Sequence, residues 1–443
     1  MKRILILLMI ISNMAFAEYS STSKDIQENS LTIYNGGFGL VREIRDSSNI
    51  SNSEKIINYL DVAQKIEPDS IIVNGVNILS LNYEYDLVSM NKLLEKYIGE
   101  DVIYTKNKSK INCTLLSVKG GIVLKDKKSG EIYLGVGVDK IILPKMIEGL
   151  RLKPALIWDI EEGTSSNELE VSYLTKGIKW EANYVINLEN KRLNLIGWVN
   201  INNNSGKDYK NTKLKLIAGD VNRANNNEGL FLMKRSMLAS NSPKDNFKEK
   251  SFFDYHMYTL NRNLNVKNNQ SKQIKFISGN NIKYKKYYSY SNTNKETKVI
   301  VSFENSKNNG LGIAFPKGKI KIYKKDLEDN SSEFVGEDRI NHTPKDENIK
   351  VVAGKVFDVK VEYKEINYKK ISKRIYEKTI KYTIKNHKNE KIKINIEHSL
   401  YGDWEMLNSN TKYVKDSIKK IIFPIDINRD STYVLKFTYR VKR

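Results

Sequence analysis

The sequence predicts an all-β, multidomain protein, and three observations carry that reading. Short runs rich in Ile, Val, Tyr and Phe recur between turns of Asn, Gly, Lys and Asp, the pattern of antiparallel sheet. Amphipathic helical periodicity is almost absent over the whole 443 residues. One cysteine, Cys113, cannot form an internal disulfide, so stability must come from packed cores, for which the chain is long enough to supply several. The expected architecture is a small SH3/Sm-like barrel plus tandem antiparallel β-sandwiches.

The elements follow in order. Residues 1–17 read as a cleavable signal peptide: Lys2 and Arg3 precede an apolar run from Ile4 to Ile11, and Ala15-Phe16-Ala17 gives a small-x-small site before Glu18. The run is too short to span a bilayer, which needs about 20 apolar residues, so no transmembrane anchor is expected after cleavage. Residues 18–92 form an N-terminal β subdomain with strands at Leu31–Tyr34, Phe38–Ile44 and Ile71–Val73. The glycines of Asn35-Gly36-Gly37-Phe38-Gly39 lead into a strand, so a hairpin or bulge is expected and not a nucleotide loop, which should open a helix. A brief helix over Met90–Tyr97 leads into the small barrel, residues 93–150, where Gly99, Gly120-Gly121, Gly130, Gly135 and Gly137 separate five short strands. Cys113 lies in one of them and is expected to be buried.

Residues 151–292 constitute the first sandwich. Its longer strands include Leu169–Tyr173, Ile186–Leu188, Leu193–Ile201 and Leu214–Ile217, and a long loop at 222–250 surrounds a short apolar segment, Leu230–Leu238. Within it Lys283, Tyr284, Lys285, Lys286, Tyr287, Tyr288 and Tyr290 interleave rings and charges. Such a set could stack on sugars or bases while neutralising phosphates, and is the candidate binding site for an anionic polymer. The competing reading is an edge strand with tyrosines on one face and guarding lysines. Residues 293–443 form the C-terminal sandwich, with strands at Lys298–Phe303, Ile320–Tyr323, Val356–Val361, Ile392–Ile396 and Tyr433–Tyr439. In Val356–Tyr363 apolar and polar residues largely alternate, so one face should be buried and the other wet.

Several segments together resemble the bacterial domain-of-unknown-function 4139 family: Leu31–Asn35 with Leu40–Arg42, Tyr173–Tyr184, Asn204–Tyr209, Leu216–Val221, Gly310–Gly312 with Pro316–Gly318, Phe334–Asp338, Asn386–His387 and Gly402–Trp404. The resemblance implies an exported β-rich protein and brings no catalytic residues. On physical grounds Gly177 and Gly219 suit turns with positive φ, Trp180 and Trp404 suit sandwich cores, and Asn204-Ser205-Gly206-Lys207 reads as a hairpin turn.

The search for chemistry finds no cofactor motif, no metal motif and no catalytic signature. His256, His342, His387 and His398 have no zinc-pair spacing, and HExxH, CxxC and GxSxG are missing. Asp326, Glu328, Asn330 and Glu337 occupy positions 1, 3, 5 and 12 of a calcium-loop template, but Ser331 stands where the sharp turn needs glycine, so a hairpin loop is expected. Net charge is +22, or +20 once the signal is removed, which favours polyanionic partners. Export makes an envelope protein or an anionic surface polymer the expected partner rather than nucleic acid. The reading is therefore an exported protein of the periplasm or cell surface that binds without catalysis. The alternative is a glycan or peptide hydrolase using distant carboxylates.

Overall fold

The computed structural model describes residues 18–146, 150–164, 166–219, 221–223, 247–252, 255–326 and 328–442. The expected signal peptide and most of the 222–250 loop, with its Leu230–Leu238 segment, lie outside the described residues. Within them the chain is all-β and multidomain. Its ladders are mainly antiparallel, with four parallel ones that join strands far apart in sequence.

The largest core lies between two sheets. One runs Phe247–Phe252, Tyr255–Leu260, Tyr209–Ala218, Ile26–Tyr34, Phe38–Asp46, Glu168–Lys176, Ile72–Asn74. Facing it, Gly318–Lys325, Ile178–Glu189, Arg192–Asn203 and Gln270–Ser291 lie side by side. Strict alternation writes this core: in Ile178–Glu189 the buried positions are Ile178, Trp180, Ala182, Tyr184, Ile186 and Leu188. The Trp180 indole donates to the Ile217 carbonyl (3.2 Å) and the Tyr184 hydroxyl to that of Pro316 (2.8 Å), so both rings are buried without an unpaired donor.

Strand Gln270–Ser291 serves two sandwiches. Residues 270–283 pair with Arg192–Asn203, whereas 284–290 pair with Thr297–Glu304 and 288–291 run parallel to Ile392–Ser399. The hand-over falls where the ladder shifts register between Leu193 and Leu195, at Gly279 and Asn281, the latter with φ +60°. A Cβ on Gly279 would meet the Leu311 and Ile282 side chains at 2.7 and 2.8 Å, which is why the bend takes glycine. Beyond it Tyr288 and Tyr290 enter a second core, closed by the sheet Val359–Lys370, Ile375–Asn386, Ser431–Lys442, Asp403–Ser409.

The small unit is a five-stranded antiparallel sheet whose order places Ile141–Ile142 beside Asp101–Lys106, followed by Ser109–Ser117, Ile122–Asp126 and Ile132–Val136. Helix Met90–Lys96 starts where the Ser89 hydroxyl accepts from the Lys92 N–H (3.3 Å), and lays Leu94 and Tyr97 onto the core with Val102, Leu115 and Leu124. Cys113 is fully buried there, and burial raises its thiol pKa. The unit interrupts a four-stranded sheet: the strand before it, Ile78–Glu84, pairs directly with the strand after it, Ala155–Ile160, through Glu84 and Ala155.

Two expectations are corrected. Asn204–Lys207 is not a hairpin turn, because Arg192–Asn203 and Tyr209–Ala218 belong to facing sheets; the turn carries the chain across the core, with Asn203 accepting from the Ser205 N–H and hydroxyl. Trp404 sits at the rim of the second core, half-buried, because its indole donates to the Ile418 carbonyl (2.6 Å) in an exposed turn. Gly177 and Gly219 do have positive φ, +80° and +139°.

Candidate functional site

The interleaved Lys and Tyr residues lie on a strand that pairs along 284–290 with Thr297–Glu304; on its other side Arg192–Asn203 ends at Lys283 and Ile392–Ser399 begins at Tyr288, so only 284–287 are open on one side. Alternation sends Tyr284, Lys286, Tyr288 and Tyr290 to one face and Lys283, Lys285 and Tyr287 to the other. Tyr288 and Tyr290 are buried, Tyr290 edge-on to Tyr382, and Tyr284 packs against the first core while its hydroxyl donates to the Glu189 carbonyl (3.2 Å). Lys286 faces Glu390 at 3.6 Å, and Lys283 and Lys285 are exposed. The fold does not bring the seven side chains together as one stacking platform, since burial of two rings was worth more than their exposure.

Sequence reasoning missed a buried cluster of charges. Glu43, Arg45 and Lys207 are enclosed. The Glu43 Oε2 accepts from Arg45 Nη2 (2.7 Å) and Nε (3.2 Å) and from the Tyr59 hydroxyl (2.8 Å), while Oε1 pairs with Lys207. Arg45 Nη1 donates to the Ser21 and Leu60 carbonyls, each at 3.0 Å, and its guanidinium lies 3.6 Å from the Tyr59 ring centroid. Burial works to raise the Glu43 carboxyl, but the Lys207 and Arg45 charges outweigh it and hold it at about 2. Burial lowers the Lys207 amine against the pull of Glu43. The group is enclosed and reciprocally paired, with no room for a substrate, so it acts as a clamp on the N-terminal strands. The signal that could have found it is weak: Glu43 and Arg45 share the face of Val41.

The histidines stay apart. His256 Nδ1 lies 2.8 Å from Glu249 Oε1, and that hydrogen bond raises its pKa, while Glu249 Oε2 accepts from the Ala314 N–H. His398 is buried against Phe437 and Tyr439, its Nδ1 2.7 Å from the Tyr382 hydroxyl, and burial lowers its pKa to about 4. Among the described residues no three His, Cys, Asp or Glu side chains cluster as a metal site. Glu337 pairs with Lys321 in the ladder, away from the Asp326–Ser331 turn, so the calcium template is not assembled.

A concave surface occurs elsewhere. Two strands at open sheet edges, Ile72–Asn74 and Ile78–Glu84, are joined by the turn Gly75-Val76-Asn77 and border an open groove of about 550 Å³. Its floor is Ile71, Val73, Val76, Ile78, Leu79 and Leu81, with Asn77 and Glu161 as the polar lining. Leu79 is 71% exposed, a large value for a branched aliphatic side chain beside a concavity. Each edge leaves main-chain donors and acceptors outside any ladder. No helix among the described residues is long and apolar enough to cross a membrane.

The family model described as Domain of unknown function (DUF4139) matches residues 169–400, just over half of the chain. That span contains the bent strand, Lys207 and most of both sandwich cores; Glu43, Arg45 and the apolar groove precede it. No curated protein matches the chain.

Proposed function

From the premise that the chain belongs to the DUF4139 family, a domain of unknown function, we propose that it is an exported, non-catalytic envelope protein that binds a partner protein through its β-domains. The carrying observation is the apolar groove between two open strand edges. An extended segment of a partner would add to an edge by main-chain hydrogen bonds, and its alternate side chains would enter the Ile71–Leu81 floor. The signal-like first 17 residues support export, and the basic surface suits an envelope rich in anionic groups.

The test is a photo-crosslinking residue at position 79, introduced in the cell of origin, with a second at the exposed Phe357 as control. A defined adduct at 79 that disappears with Ile78→Asp in the groove floor supports the reading; equal adducts at both positions, or none at 79, would overturn it. Mass spectrometry of the recovered protein should show a mature chain starting at Glu18.

A further inference from the structure

One end of the C-terminal sandwich is built of protruding turns. Ile375 and Asp403 both pair with Lys442, and Ser399 pairs with Lys420, so the 371–374 hairpin tip, the 400–402 turn and the 417–419 turn share that end. The Trp404 indole bond to the Ile418 carbonyl ties the last turn to the same edge. In the hairpin of Val359–Lys370 and Ile375–Asn386 every residue from Lys364 to Arg374 is exposed.

These turns, and the strand that leads to the hairpin tip, carry large apolar side chains in solvent. Ile418 is 81% exposed, Tyr401 70%, Tyr368 54%, and Ile371 and Ile366 are nearly half exposed. Beside them stand Lys369, Lys370, Lys373 and Arg374, none of which has a salt bridge among the described residues. Most carboxylates nearby are already engaged, Glu365 by Lys378, Glu377 by Arg440 and Asp416 by Lys420, leaving Asp403 without an ion pair. The hairpin is stiffened from within, with Tyr368 stacked on Tyr376 (5.6 Å between centroids) and the Lys378 amine over both rings.

We propose that this end of the sandwich docks on an anionic lipid bilayer surface. The chemistry decides between partners. Apolar side chains at the tips of convex turns line no cavity, so they need a deformable apolar medium, which the headgroup–acyl boundary provides. Free Lys and Arg beside them then lie at the depth of the lipid phosphates, and tyrosine suits the same interface. A soluble polyanion would engage the lysines but give nothing to Ile371 or Ile418. The inference is independent of the groove, which lies in the other sandwich.

The experiment is flotation of the full, signal-processed protein with vesicles of phosphatidylcholine alone or mixed with phosphatidylglycerol. Binding is expected to the anionic vesicles only, to weaken with salt, and to fall about fivefold for each of Lys369, Lys370, Lys373 and Arg374 changed to Ala. The Ile371→Ser/Ile418→Ser variant should lose at least about tenfold while its binding to inorganic polyphosphate stays unchanged. Equal binding to neutral and anionic vesicles, or full vesicle binding by the serine variant, would overturn the proposal. Leu79→Asp should leave vesicle binding intact; a loss there would assign the binding to the groove instead.

Discussion

The Glu43 carboxylate is held by two cations and a phenol inside a buried core, and removing it leaves Arg45 and Lys207 buried without a counter-charge. Glu43→Gln should therefore cost about 3–5 kcal/mol, read from urea unfolding at neutral pH. Because the folded pKa of about 2 lies below the ordinary 4.5, the stabilisation is complete above pH 4.5 and is lost as pH falls towards 2. His398 acts in a neighbouring window. Its folded pKa of about 4 against an ordinary 6.5 means that the unfolded chain binds the extra proton first, so stability falls as pH drops from 6.5 towards 4. His398→Leu should flatten that part of the curve relative to the wild type, which thermal unfolding at pH 7 and pH 5 would show; an unchanged slope would mean that the imidazole is not kept neutral. Neither residue announced itself in the sequence. In Leu40–Asp46 apolar residues occur on both faces, and only the tertiary partners decide that Val41, Glu43 and Arg45 point inward.

At the level of elements, the bend at Gly279 is the hinge on which two cores depend. Gly279→Val would drive methyl groups into Leu311 and Ile282 and should cost about 1–3 kcal/mol by overpacking, measurable as a lowered urea midpoint. The small five-stranded unit has the opposite character. Since Glu84 and Ala155 are direct cross-strand partners, their Cα atoms lie only about 5 Å apart, and replacing residues 86–153 by a short glycine-containing turn should leave the remaining sheets folded. Unchanged near-ultraviolet circular dichroism of the buried tryptophans would confirm it; loss of that signal would show that the small unit helps to hold the parent sheet. The five glycine-punctuated strands were legible as a block, but they form an open sheet and not the expected closed barrel. The unit's place inside another sheet was not legible, because cross-strand pairing between residues some 70 apart leaves no local trace.

For the molecule as a whole, alternation of apolar and polar residues established that the chain is all-β, where many strands run and that several cores are needed. Periodicity two is a local consequence of the pleat, so a single sequence displays it. It also placed the helix before the small five-stranded unit, the buried cysteine and the glycines of positive φ, each fixed by a few neighbouring residues. Partnership belongs to the fold. The turn at Asn204–Lys207 reads as a hairpin and instead crosses the core, delivering a lysine to a glutamate 164 positions earlier; the Lys and Tyr strand reads as a surface and instead gives two rings to the second core. Which strands meet, which charges are enclosed and which apolar turns are left in solvent depend on long-range packing energies that no local window contains, and these decided the groove and the exposed sandwich end on which the functional proposals rest.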